Sequence, residues 1–168
     1  MLLNRADDLE GGCGLRSGYF YIPRLGQLAA SGYLPVLMSC FVARYRALFD
    51  DEFHIPKRLE LSDFGDLANH LHVLVLDATR TTWTFERFAP FSAARSGVDM
   101  TGAEVNDRRF APFNRRLDEK LARLLREKAP FYVGTELQEI GGERVAHRLL
   151  IPMSDVGRLI THCLLMSV

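Results

Sequence analysis

In the last third of the chain, His147 alternates with Val145, Leu149 and Ile151, and Thr135 alternates with Val133 and Leu137. Alternation puts such residues on one face of a strand, so a histidine and a threonine sit among side chains that seek a core. A buried polar group needs a hydrogen-bond partner, which is either a bound ligand or a neighbouring carbonyl or carboxylate. Trp83 and Phe85 offer flat surface on which a flavin or haem could stack, or they simply fill core. His147 or His162 could ligate a haem iron. His147 with Glu86 or Glu136 could form an acid–base pair for hydrolysis or isomerisation. Spacing brings no such pair together, so the expectation is a binding module without catalytic residues, and no cofactor is assigned.

The other constellations point away from catalysis. No Gly-x-Ser-x-Gly elbow occurs. Cys163 follows His162 directly, and adjacent strand residues point to opposite faces. His70 and His72 straddle a helix end and a strand start, so their rings need not converge on a metal. Gly11-Gly12-Cys13-Gly14 lacks the preceding strand and following Gly-Lys-Ser/Thr of a phosphate cradle. Arginines at 108, 109, 115, 116, 123 and 126 are interrupted by Asp107, Asp118, Glu119 and Glu127, the pattern of a solvated helix face.

Positioning these residues is the work of one domain. The chain has 168 residues, 48% hydrophobic and 25% charged, enough for a real core. Lys plus Arg and Asp plus Glu both total 21. That balance supplies no field toward nucleic acid or an anionic membrane, and it does little to keep copies apart. Cys13, Cys40 and Cys163 are odd in number and lack CxxC spacing, which suggests reduced thiols and a cytoplasmic protein. The opening MLLNRADDLEGG is too acidic for a secretory signal. The apolar window from Leu28 to Ala43 contains Gly32 and Pro35 and falls short of the about 20 residues a membrane span needs.

Residues 1–34 are glycine-rich and read as a leader, poorly ordered or docked elsewhere. From residue 36 to 50, Leu37, Phe41, Tyr45 and Leu48 recur at helical spacing, predicting an amphipathic helix. A short helix follows from Ser62 to Leu71. His72–Leu76 and Trp83–Phe88 predict a strand pair. Residues 92–111 hold short helical turns. A long helix is predicted over Pro112–Lys128, with Phe113, Leu117, Leu121 and Leu124 as its stripe. Phe131–Ile140, Arg144–Met153 and Arg158–Val168 predict three closing strands, the first two joined by a Gly141-Gly142 turn. The order implies an α+β fold with a five-stranded antiparallel sheet, helices on one face, and the two leading helices flanking it.

Local words agree with that order. Gly97-Val98-Asp99-Met100-Thr101-Gly102 resembles the Asp-[Leu/Met]-Thr-Gly turn of PAS domains. Leu149-Leu150-Ile151-Pro152-Met153-Ser154-Asp155-Val156-Gly157 resembles the late hairpin of a bacterial stand-alone PAS-like family, and Pro56-Lys57-Arg58 resembles its Pro-x-Arg step. The resemblance covers roughly residues 36–168, within a domain placed at 35–168. It implies a sensory or regulatory module in signal transduction that binds a small ligand or partner protein. A ligand between the long helix and the sheet would then meet Trp83, Phe85, Leu117, Leu121, Thr135, His147 and Leu149. Output would pass to a signalling partner or a homodimer, through the helix bearing Leu37, Phe41, Tyr45 and Leu48. A dimerisation module with no cavity is the alternative.

Overall fold

The computed structural model describes residues 17–20, 34–49, 60–108, 116–139, 142–155 and 159–168, with backbone alone at 17–20, 135–139 and 142–146. The elements are β1 (Ser17–Phe20), α1 (Val36–Leu48), a 3-10 segment (Leu61–His70), β2 (Leu71–Leu76), β3 (Trp83–Arg87), α2 (Pro90–Ser96), α3 (Leu117–Glu127), β4 (Phe131–Glu139), β5 (Gly142–Met153) and β6 (His162–Ser167). Pro112 and Phe113 of the expected long helix, the Gly141 turn and the Pro56 step lie outside the described residues.

β2 through β6 form the antiparallel sheet expected, and β1 adds a sixth strand, giving the order β1-β4-β5-β6-β2-β3. The early hairpin and the late strands join where β2 pairs with β6, from Leu71 opposite Met166 to Val75 opposite His162. Within the segment read as leader, Ser17–Phe20 pairs with β4, Ser17 opposite Thr135 and Phe20 opposite Tyr132. Pro152 is accommodated because β5 has by then run beyond the start of β4, whose last pair is Phe131 with Leu150. It therefore withholds no ladder N–H.

Helices cover both faces. Met38, Phe41, Val42 and Tyr45, at helical spacing, press α1 onto Leu71, Val73, Tyr132, Leu149, Ile151 and Leu164. On the opposite face, α2 and α3 pack over Leu74, Phe85, Phe131, Leu150, Cys163 and Leu165. This corrects the expected dimer surface. Phe41 and Tyr45 are 1% and 3% exposed because the sheet already buries them, Leu37 packs at the margin of that cluster, and Leu48 is exposed.

Turn chemistry locks the helical middle to the sheet. Asp77 closes the β2–β3 turn by accepting the N–H groups of Thr81 and Thr82 at 2.8 and 2.9 Å and the Thr79 hydroxyl, contacts that hold its carboxyl down to about 2. α2 starts at Pro90 and ends at Gly97, whose φ of 73° suits glycine. The Asp99-Met100-Thr101-Gly102 turn is structural. Asp99 accepts from the Thr101 N–H and hydroxyl, Thr101 Oγ1 accepts the Phe88 N–H at 3.0 Å, and Met100 is buried. Gly102 (φ 82°) donates to Phe85 O at 2.7 Å, and Ala103 and Val105 continue along β3, covering an otherwise bare edge.

Candidate functional site

The inward stripe of α3 carries Leu117, Lys120, Leu121 and Leu124, all buried. The three leucines join the core over β5, as a helical repeat of this spacing requires. Lys120 shares their face and is 5% exposed. Among the described residues the one fully buried side-chain nitrogen or oxygen without a hydrogen-bond partner is His70 Nδ1, not the Lys120 ammonium. Burial pushes the lysine's pKa down to about 8; Arg148 adds to the fall, Glu119 offsets part of it, and Arg116 and Asp118 act weakly in opposite senses.

Arg148 lies on β5 two residues from Leu150, on the α3 side of the sheet. Burial lowers its pKa, and it makes contacts of its own. His72, on β2, faces the same layer. Its Nδ1 accepts the Ala89 N–H at 3.1 Å, so Nε2 carries the proton and donates to Ser92 Oγ at 3.3 Å. The ring meets Phe88 edge-on at 4.6 Å. Burial, then Arg148, Arg87 and Arg95, push its pKa down to about 3, leaving a neutral imidazole. Arg148 thus acts on both Lys120 and His72, and three basic groups face the space between the sheet and its α2–α3 layer.

Two further polar sites lie elsewhere. On the α1 face the Tyr132 hydroxyl hydrogen-bonds His147 Nδ1, with the rings stacked 5.9 Å apart. Burial raises the tyrosine's pKa and lowers the histidine's, so both groups favour the neutral form. Near the β5–β6 turn, His162 Nδ1 lies 2.9 Å from Thr161 Oγ1 and 3.4 Å from Asp155 Oδ2, while Thr161 Oγ1 accepts the Asp155 N–H. A cleft of about 180 Å³ opens beside the β2–β3 turn, lined by Arg80, Trp83, Asn106, Asp118, Ala122 and Leu125. That is smaller than a typical pocket of about 300–1,000 Å³.

The expected ligand residues do not converge. Trp83, Phe85, Leu117 and Leu121 pack together under α3, each 7% exposed or less. Leu149 is core under α1, and His147 shares that face. The sheet therefore stands between two halves of the expected site. Thr135 lies in β4 opposite Ala146, its side chain outside the described residues. His147 and Glu86 are on strands separated by β6 and β2, so they form no acid–base pair, and the Glu136 side chain is outside the described residues. Cys163 is fully buried with its thiol pushed up by burial, facing away from His162. His70 packs on Phe91 at 4.5 Å while His72 turns to Ala89 and Ser92. Among the described residues no group of three His, Cys, Asp or Glu could hold a metal, and no helix is long and apolar enough to cross a membrane.

The sequence pattern singles out neither Lys120 nor Arg148, and it marks His72 only as a partner of His70 for a metal. The signal available was a lysine three residues after Leu117 and four before Leu124 on an otherwise apolar stripe. No family model matches this chain, and no curated protein or solved structure matches it.

Proposed function

We propose that the chain is a PAS-like sensory module that binds a small ligand between α3 and the sheet and signals through altered protein contacts. The observation that carries the reading is Lys120, a lysine set among leucines on the inward stripe of α3 and 5% exposed. Packing alone offers no use for such a group, because an apolar residue would fill the stripe at lower cost. The antiparallel sheet with a helical layer over each face is consistent with the resemblance in the Asp99–Gly102 turn. A ligand would act by favouring one arrangement of the helices over another. Output to a second copy would use the outward side of α1, where Val36 is 80% and Leu48 37% exposed beside Arg44 and Arg46.

The test is native mass spectrometry with an absorbance spectrum on freshly purified protein, and light scattering for size. A co-purified small mass supports the reading, and a visible chromophore identifies a flavin or haem. Protein without added mass that no small molecule stabilises thermally overturns the sensing role. That outcome leaves the second reading, a ligand-free interaction module, which the close packing of Phe85, Leu117 and Leu121 favours.

A further inference from the structure

We infer that the cleft beside the β2–β3 turn takes a small zwitterion, an α-amino acid whose carboxylate meets Arg80 and whose ammonium meets Asp118. Four segments build the cleft. Asp118, Ala122 and Leu125 follow one another at spacings of four and three, so they share a flank of α3 beside its buried leucine stripe. Trp83 comes from β3 and is 7% exposed. Asn106 ends the segment that runs along β3, where Val105 N–H donates to Trp83 O at 2.9 Å. Arg80 belongs to the turn that Asp77 closes. Its N–H donates to Asp77 O at 2.9 Å, and its guanidinium donates to Ile160 O at 3.1 Å. None of these residues is Lys120, so the inference goes beyond the reading above and stands or falls apart from it.

Charge and size narrow the occupant. The lining carries one guanidinium and one carboxylate, brought in by different elements. A lone anion would meet Asp118 and a lone cation Arg80, whereas a zwitterion offers an opposite charge to each. Arg80 uses one nitrogen on Ile160, and the rest of its fork can still donate to a carboxylate. Asn106 adds an amide able to donate or accept. The volume of about 180 Å³ holds about six water molecules at about 30 Å³ each, which admits glycine or alanine and little more. The aliphatic part of such a ligand lies against Trp83, Ala122 and Leu125. Arg80 and Asp118 are therefore assigned as binding residues.

Trp83 is the one tryptophan of the chain, so its fluorescence reports on this cleft. The test titrates the full chain, at constant ionic strength, with glycine and L-alanine. Propionate and ethylamine serve as the two halves of alanine. The expected result is a saturable change in emission with the amino acids that neither half produces. Asp118→Asn, at an exposed position, should raise the half-saturating concentration at least about tenfold, the loss of one charge-assisted contact. Ala122→Phe, also at an exposed position, fills the cleft and should abolish the change; it is the second variant if D118N does not fold. An equal response to propionate or to ethylamine overturns the zwitterion assignment. Unaltered binding by D118N or A122F overturns the cleft as the site. Silence from every compound overturns the inference and leaves the sensing reading standing, since co-purified mass decides that one.

Discussion

The two faces of the sheet are built by the same strands, yet they bury different things. Under α1 the interior is Met38, Phe41, Val42 and Tyr45 on a bed of aliphatic residues, and the Tyr132–His147 pair satisfies itself. Under α2 and α3 the aliphatic core is as complete, but it encloses His72, Lys120 and the inward side of Arg148. A neutral, hydrogen-bonded group such as His72 adds little to the cost of burial. A charged side chain taken into the interface adds more. The first face buries neutral groups, and the second also takes in the side chains of two basic residues.

The largest expected effect tests whether both faces are true core. Phe41→Ala on one side should cost about 3–5 kcal/mol and Leu121→Ala on the other about 2–5 kcal/mol, seen as a lower urea midpoint. A change within about 0.5 kcal/mol for Phe41→Ala would mark α1 as a surface element instead.

Acid should act mainly through the α2–α3 face. The unfolded chain protonates His72 near the usual value of 6.5, whereas the folded chain resists until about 3. Stability is therefore lost as pH falls through that window, by up to a few kcal/mol. His72→Gln, which can still accept from Ala89, should flatten the slope between pH 6.5 and 5, measured by urea unfolding at each pH. An unchanged slope would assign the acid response elsewhere.

Lys120→Met should stabilise the unliganded protein by about 1–3 kcal/mol at neutral pH. The sign follows from the depressed folded pKa of about 8 against 10.5 unfolded. In that window the unfolded chain holds a proton that the folded one has released, so this group's contribution to stability grows as pH rises. Tyr45, Tyr132 and Cys163, all raised by burial, act in the opposite sense at high pH. The difference between wild type and K120M isolates the lysine, and a constant difference from pH 7 to 10.5 would refute the assignment. The smallest effect belongs to Tyr132→Phe, about 0.5–1.5 kcal/mol for one hydrogen bond on the α1 face. A loss above about 3 kcal/mol by the same assay would mean that this pair carries more than packing.

Much of the element order could be read from short-range pattern. The β2–β3 hairpin, the Phe131–Met153 strand pair and the α1 stripe each express a period within a few residues of sequence. The Asp99–Gly102 turn was visible for the same reason, since its hydrogen bonds join near neighbours and the adjacent strand. The candidate site was not. A glutamate, lysine or arginine on a helix normally marks the wet face, and Lys120 reads as one until α3 is laid on the sheet.

Alternation established that His147, Leu149 and Ile151 share a side of β5 and that Arg148 and Leu150 share the other, because a strand repeats every two residues. Which helix covers which side depends on contacts between segments distant in sequence, and no local period contains them. Packing α1 on the histidine's side and α3 on the arginine's side separated His147 from Phe85 and Leu121, and brought Lys120 toward Arg148. The chain's own periods determined the strands and stripes. The long-range packing of helix on sheet determined the partners they met, because apolar burial rewards area without specifying which surface supplies it.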